Sequence, residues 1–147
     1  MDKFMKIAIE EARTGIIAGH GGPFGCVIVR DGKVVGRGHN EVIKQNDPTC
    51  HGEVTAIRDA CKNLGTYDLS GCELYTTAEP CPMCRGAIMW SNIRKVYFGC
   101  NIADTESIGF RDKVFYESPV DISEELDRKE CLEVFEEYRA INDKKSY

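Results

Sequence analysis

The sequence predicts an α/β protein in which helices cover both faces of a central sheet as a three-layer sandwich. Segments with helical spacing alternate with short strand-like runs, in the order helix, strand, strand, helix, strand, helix, strand, helix. The 147 residues, 42% of them hydrophobic, suit one domain spanning positions 1–147. Neither an internal repeat nor a low-complexity tract suggests a second unit.

The first three elements lie within the first 35 residues. Residues 3–18 place apolar side chains at helical spacing between charges, and the glycine-rich run at 19–25 ends this helix. A hairpin follows: a β-branched run at 26–29, a turn at Asp31-Gly32 and a second strand through Val34 and Val35.

The central helix and the third strand follow the hairpin. Asp47 is predicted to cap the helix and Pro48 to occupy its first turn, while Gly65 ends it. Its buried stripe is predicted to contain Val54, Ile57, Ala60, Cys61 and Leu64. Residues 72–78 then form a strand.

The C-terminal part adds a short helix, a strand and a charged helix. Cys81 stands at an N-cap position with Pro82 at the first helical position, and residues 95–100 read as the fourth strand. Residues 123–142 are predicted to form a helix whose inward face contains Leu126, Cys131, Val134, Phe135 and Tyr138.

Composition favours a cytoplasmic protein with a small-molecule ligand. Charged residues interrupt the N-terminus where a signal peptide would be apolar, so the eight cysteines are expected to be reduced. No apolar run approaches the roughly 20 residues of a membrane span. The net charge of −5 argues against nucleic acid as a partner, because such binding depends on neutralising phosphates.

Cys81 and Cys84 form a Cys-x-x-Cys pair that fits a closed zinc site, a redox dithiol or two ligands of an open zinc. His51 stands at the start of one helix and the cysteines at the start of the next, so the three side chains can converge at one sheet edge. Three ligands leave a fourth position for water, which is typical of catalytic zinc. A closed site would need a fourth ligand, for which Cys50, Cys100 or His39 could be nominated.

Glu53 is the candidate proton carrier beside the three ligands. A carboxylate beside a zinc-bound water can take its proton and pass it on. His51-Gly52-Glu53 followed by Pro80-Cys81-Pro82-Met83-Cys84 matches the pattern H-x-E and P-C-x-x-C that is typical of zinc nucleobase deaminases. The sequence therefore predicts one Zn²⁺ per chain, with the other six cysteines as small core residues.

The chain resembles the cytidine deaminase-like superfamily over nearly its whole length, and within it the bacterial guanine deaminases. The stretches that carry the resemblance are Gly21-Gly22-Pro23-Phe24-Gly25, Asn46-Asp47-Pro48-Thr49, Glu79-Pro80-Cys81-Pro82-Met83-Cys84, Trp90, Gly109-Phe110-Arg111-Asp112 and Lys144-Lys145-Ser146-Tyr147. The resemblance implies a mixed central sheet and hydrolysis of guanine to xanthine and ammonia. It also implies a homodimer in which the segment from about 121 to 147 crosses to the second subunit.

The resemblance further assigns roles to five residues outside the zinc motif. It implies that Phe24 packs against the purine, Asn40 hydrogen-bonds it, Trp90 lines the pocket, and Asp112 and Tyr147 hold the base or move protons. On general grounds Phe24 and Trp90 could instead be core aromatics, and Asn40 could be a turn residue. Asp112 could be a solvated loop carboxylate and Tyr147 a frayed terminus.

The residue at position 52 does not identify the substrate, because many guanine deaminases have alanine where this chain has Gly52, and glycine also occurs in cytosine deaminases. The reaction class does not depend on this position. A tRNA adenosine deaminase is the alternative enzyme, and cytosine and guanosine are alternative substrates. The acidic residues of the C-terminal helix argue against RNA. A structural zinc interaction module is the non-enzymatic alternative, and it would have no need of Glu53.

Overall fold

Within the described part of the chain, one mixed sheet of four strands forms the centre of the protein, as expected. The computed structural model describes residues 1–117 and 122–147. The strands lie in the order β2-β1-β3-β4, with β1 antiparallel to both neighbours and β3 parallel to β4. Their bounds are β1 Gly25–Arg30, β2 Lys33–His39, β3 Glu73–Ala78 and β4 Lys95–Cys100.

Helices cover both faces of this sheet and complete the three-layer α/β/α arrangement. On one face α1 packs against Val27, Val29 and Tyr75. On the other face α3 and α4 enclose a core that contains Ile28 and Leu74. Within the described residues, none of the helices has the length and apolar character that crossing a membrane requires. The helices are α1 Lys3–Ile17, α2 Val42–Gln45, α3 Gly52–Leu64, α4 Pro82–Trp90, α5 Ile102–Ser107, α6 Asp112–Glu117 and α7 Arg128–Arg139.

Local sequence signals explain several element boundaries. Asp31 and Gly32 both have positive φ, which a tight turn with the twist of a hairpin requires. Gly65 ends α3 in the left-handed conformation. Cys81 is the N-cap of α4 with Pro82 following, so the predicted start of this helix is confirmed.

The predicted start of α3 is wrong by several residues. His51, not Asp47, is the N-cap, and Asp47 lies in the loop between the short helix α2 and α3. The Asp47 carboxylate accepts hydrogen bonds from the N–H and hydroxyl of Thr49, so this side chain closes a local turn. The Asp-Pro signal therefore marks the loop that leads into α3.

The C-terminal helix α7 is shorter than predicted, and its apolar face does not point inward. Its side chains Val134, Phe135 and Tyr138 are 58%, 66% and 50% exposed, and Leu126 before it is also exposed. The cause is that α7 has few neighbours among the residues that the structure describes. Cys131 and Cys100 are exposed too, which corrects their assignment to the core. Position 121, the expected start of the crossing segment, lies outside the described residues.

We predict that Gly36→Ala destabilises the protein because β2 presses directly against α3. A Cβ atom at Gly36 would lie 2.6 Å from the backbone nitrogen and from the Cβ of Ala60. Overpacking of this kind costs about 1–3 kcal/mol. Urea unfolding monitored by circular dichroism measures the change in the free energy of unfolding.

Gly86→Ala is the matched control, because a Cβ atom there meets nothing within 4 Å and the residue lies inside helix α4. Helix propensity favours alanine over glycine by roughly 0.5–1 kcal/mol. Equal stability of the Gly36→Ala variant and the native protein would show that the contact between β2 and α3 is not tightly packed.

Candidate metal centre and ligand cavity

The directions of the strands bring the predicted zinc ligands together. Because β2 and β3 are both antiparallel to β1, they run the same way and end at the same edge of the sheet. The chain leaves β2 towards α3 and leaves β3 towards α4, and both helices begin at this edge. Their N-caps are His51 and Cys81, so two ligands come from the positions where the two helices start.

His51, Cys81 and Cys84 form a cluster whose ligand atoms all lie within 4.8 Å of one another. Nδ1 of His51 is 3.5 Å from Sγ of Cys81. In tetrahedral zinc, bonds of about 2.1 Å to nitrogen and 2.3 Å to sulfur separate the two atoms by about 3.6 Å. One imidazole and two thiol groups at this spacing therefore fit Zn²⁺ with three protein ligands.

The two cysteines of the cluster differ in acidity because the Cys84 thiol donates a hydrogen bond to Cys81. This bond, together with His51, lowers the pKa of Cys81 to about 4. The same bond and burial raise the pKa of Cys84. Cys81 raises the pKa of His51 through their hydrogen bond. Both thiols must lose their protons to bind a metal ion, and Cys81 loses its proton more readily than Cys84.

The residues nominated as a fourth ligand for a closed site lie outside this cluster. Cys50 is buried, and its Sγ accepts a hydrogen bond of 3.4 Å from the guanidinium group of Arg58. Cys100 is exposed at the end of β4. His39 belongs to a different group of side chains, with His20 and Glu41. Among the described residues the cluster therefore has three ligands, which fits an open coordination position.

Glu53 lies within the first turn of α3, next to the ligand cluster, and is 6% exposed. Burial raises the pKa of its carboxyl group. Thr76 Oγ1 on β3 lies 3.0 Å from Oε1 of Glu53 and 3.2 Å from the carbonyl oxygen of Ala78. The sheet therefore fixes the position of this carboxyl group, and burial makes it easier to protonate than an exposed glutamate.

A cavity of about 540 Å³ opens onto His51, Glu53 and Cys81, a volume within the range of small-molecule sites. Phe24 and Phe110 meet edge to face in its wall, with ring centroids 4.8 Å apart. The other lining residues are Gly19, Gly21, Gly22, Asn40, Val42, Ile43, Pro48, Ala78, Glu79, Arg111 and Asp112.

Asn40 is almost fully buried in the wall of this cavity. Its Oδ1 accepts a hydrogen bond of 3.1 Å from the N–H of Val42. Because this oxygen is already used, Nδ2 is the part of the amide that can donate to a ligand.

Asp112 begins helix α6 and is half-buried at the same cavity. Burial and the nearby Cys81 raise the pKa of its carboxyl group. The Tyr116 hydroxyl donates to the carbonyl of Pro80, so α6 is fastened to the turn that precedes Cys81. This bond holds Asp112 near the ligand cluster although the two are distant in sequence.

Sequence reasoning missed two residues that line the cavity, Phe110 and Glu79. Phe110 lies beside Asp112 in the stretch Gly109-Phe110-Arg111-Asp112, and its aromatic ring was the available signal. Glu79 precedes the cysteine motif, and its carboxylate accepts a hydrogen bond of 3.1 Å from the N–H of Ile102. It thereby ties β3 to the start of α5.

Trp90 and Tyr147 do not line the cavity of their own chain. Their side chains are 68% and 79% exposed. Tyr147 contacts Trp90 and Tyr67, with ring centroids 6.0 and 5.9 Å apart, at the C-terminal ends of α4 and α3. The cavity lies at the opposite ends of these helices, and α3 alone, with 13 residues, is about 20 Å long.

Comparison with known proteins shows similarity along the whole chain. The chain is 44% identical to guanine deaminase from Bacillus subtilis, covering 99% of this chain and 98% of that protein. The crystal structure of guanine deaminase from Bacillus subtilis superposes with a TM-score of 0.93 at 42% identity, covering 100% of this chain and 99% of that one.

Two further comparisons extend the set. A tRNA-specific adenosine deaminase from Aquifex aeolicus is 38% identical, covering 84% of this chain and 88% of that protein. Another crystal structure, a mutant protein in complex with 8-azaguanine, is 32% identical with a TM-score of 0.71, covering 95% of this chain and 84% of that one.

The family of the cytidine and deoxycytidylate deaminase zinc-binding region matches residues 1–100, which include His51, Cys81, Cys84 and Glu53. The chain therefore belongs to the cytidine and deoxycytidylate deaminase zinc-binding family.

Proposed function

We propose that this protein is a guanine deaminase, which hydrolyses guanine to xanthine and ammonia. The observation that carries this proposal is a cavity that joins an aromatic pair, a buried amide and a buried carboxyl group to a three-ligand zinc cluster. Similarity over the full length to a guanine deaminase supports the choice of substrate. Its eight free cysteines suit a reducing compartment, and we place the protein in the cytoplasm.

His51, Cys81 and Cys84 are the residues that hold zinc, one ion per chain. When bound, zinc supplies a water-derived nucleophile at neutral pH. Glu53 accepts one proton of the attacking water and delivers it to a ring nitrogen. It then takes the remaining proton of the added hydroxyl group and delivers it to the amine, which leaves as ammonia when the C–N bond breaks and the C=O bond forms. Its buried position between the ligand cluster and Thr76 keeps the carboxyl group in place during these transfers.

The cavity wall binds and orients the purine. The Phe24 ring packs against the flat face of the base, supported by Phe110 at its edge. Asn40 donates from Nδ2 to an acceptor of the base. Asp112, whose pKa is raised by burial, acts as a second proton carrier for the departing amine.

The described surface does not favour RNA as a substrate. The segment around α7 exposes the acidic side chains Glu124, Glu125, Asp127, Glu130, Glu133, Glu136 and Glu137, which repel a phosphate backbone. Measuring ammonia release from guanine, guanosine, cytosine, adenosine and tRNA separates the candidate substrates. We expect release from guanine, and release from tRNA alone would contradict the proposal.

The functional unit is a homodimer in which the C-terminal segment of each chain crosses to its partner. Two observations support this arrangement. The apolar face of α7 has few neighbours in its own chain and needs another surface to cover it. Tyr147 and Trp90 contact each other far from their own cavity, so a cavity to which they contribute would belong to the other chain. Exposed apolar groups at the cavity, Ile43 and Phe110, are available for that contact.

We predict that Cys84→Ala loses zinc, because two remaining ligands rarely hold a catalytic zinc ion. Elemental analysis of the purified variant should give well below one zinc per chain. Cys100→Ser is the matched control, since this exposed cysteine lies outside the ligand cluster. Full zinc content in Cys84→Ala would mean that the ligand set is wrong.

We predict that Glu53→Gln keeps zinc but lowers guanine turnover by at least about a hundredfold, because the amide cannot accept a proton. The amide is close in shape to the carboxyl group and can keep the hydrogen bond with Thr76. Steady-state ammonia release and elemental analysis are measured on the same sample. If the native protein itself showed no zinc-dependent turnover, the zinc site would be that of a structural module.

We predict that deleting Tyr147 lowers kcat/KM for guanine, because in the proposed dimer the tail covers the cavity of the other chain. Zinc content and thermal unfolding stay nearly unchanged, because Tyr147 is neither a ligand nor a buried residue. Tyr147→Phe separates the ring contact from the hydroxyl group. Unaltered kcat/KM after the deletion would remove the tail from the site.

Co-expression of the Glu53→Gln and Tyr147-deleted chains tests whether the tail acts on the partner. Mixed dimers would contain one cavity with an intact Glu53 that is covered by an intact tail. Random pairing then restores about one quarter of native activity. If the tail acted within its own chain, the mixture would be no more active than its two components.

A further inference from the structure

A second group of metal-ligating side chains lies apart from the zinc cluster. It consists of His20, His39 and Glu41, whose ligand atoms all lie within 4.8 Å of one another. Nδ1 of His20 is 2.8 Å from Nε2 of His39, and Nε2 of His39 is 3.7 Å from Oε1 of Glu41. His39 is buried, and the other two side chains are half-buried.

Neighbouring side chains orient two of these ligands. Nδ1 of His39 donates a hydrogen bond of 2.8 Å to Oε2 of Glu11, whose other oxygen accepts from Arg37. This bond fixes the His39 tautomer in which Nε2 carries a lone pair. A carboxylate that holds the far nitrogen of a histidine is the usual support of a metal-bound imidazole.

Glu41 is oriented in a similar way. Its Oε2 accepts a hydrogen bond of 2.9 Å from Nε2 of Gln45, one turn further along α2. Oε1 is left facing His39, with Lys44 at 3.6 Å as its exposed counter-charge. The supporting bonds of Glu41 and His39 therefore use the atoms that point away from the cluster and leave one ligand atom of each directed into it.

We propose that His20, His39 and Glu41 form a second metal site, which binds a divalent late transition metal such as Zn²⁺. Two imidazoles and one carboxylate are a known zinc ligand set, and imidazole disfavours Mg²⁺ and Ca²⁺. Ligand atoms about 2.1 Å from a metal lie about 3.0–3.4 Å apart, so His20 and His39 separate by only a few tenths of an ångström. The His20 proton moves from Nδ1 to Nε2, which leaves Nδ1 free to bind.

The metal would tie together three segments beside the ligand cavity. His20 lies in the loop after α1, His39 ends β2 and Glu41 precedes α2. Their chain neighbours Gly21 and Asn40 belong to the cavity wall. Binding therefore joins the glycine-rich loop to the sheet, at a point outside the ligand set of the first zinc.

The test is equilibrium dialysis of the holoprotein, already carrying one zinc per chain, against micromolar free Zn²⁺, followed by elemental analysis. We expect about two zinc ions per chain in the native protein and about one in His20→Ala. Glu41→Gln removes a charged ligand and should weaken the second site by more than the roughly ten- to a hundredfold that loss of an outer-shell partner costs. Lys44→Ala, which removes the competing cation, should bind the second zinc at least as tightly as the native protein.

Two measurements keep the result specific. In ¹⁵N spectra of the imidazoles, the second zinc should change the His20 tautomer and leave the already metal-bound His51 unchanged. Because the ion binds the folded state, it should also raise the melting temperature of the native protein and not that of His20→Ala. A second zinc that survives His20→Ala but disappears in Cys100→Ser would place the ion at an exposed thiol. That result, or a native stoichiometry of one, would overturn the proposal.

Discussion

The site depends on the direction of one strand, β1. Because β1 runs opposite to both β2 and β3, those two strands end at the same edge, and the helices that follow them begin there. Phe24 comes immediately before β1 at that edge, and Asn40 immediately after β2. Residues far apart in sequence thus meet without any long-range signal between them. Strand pairing brings an aromatic ring, an amide and the first of the proposed zinc ligands into one cavity wall.

Close approach of the helices to the sheet is the second requirement, and glycine provides it. A Cβ atom at Gly25 would lie 2.0 Å from the carbonyl oxygen of Ala8, so α1 can cross β1 only where the side chain is absent. Gly52 is less demanding, since its added Cβ atom would be 3.1 Å from the Phe24 carbonyl. A small shift would therefore accommodate the alanine that many guanine deaminases have there.

The sequence predicts best those features that depend on local chemistry. Cys81-Pro82 marks a helix start because its cap geometry is local. His51 and Glu53 are two positions apart, so one helix start places both of them at the same edge of the sheet. The start of α3 predicted from Asp47-Pro48 is wrong, because an aspartate side chain can close a turn instead of capping a helix. The apolar stripe of α7 misled differently, since periodicity shows that a face must be covered but does not identify the surface that covers it. Phe110 and Glu79 lie at the cavity through tertiary packing, which leaves no spacing signature.

The contact between Thr76 and Glu53 matters for the cost of moving a proton. A hydroxyl group has a single hydrogen, yet Thr76 Oγ1 lies within hydrogen-bond distance of both Glu53 Oε1 and the Ala78 carbonyl. When Glu53 is ionised, the hydroxyl can donate to it. When Glu53 is protonated, the hydroxyl can rotate, accept from the carboxylic acid and donate to Ala78. The hydroxyl therefore has an acceptor for its hydrogen in either state, and one bond rotation takes the place of part of the solvent rearrangement that the same transfer would require in water.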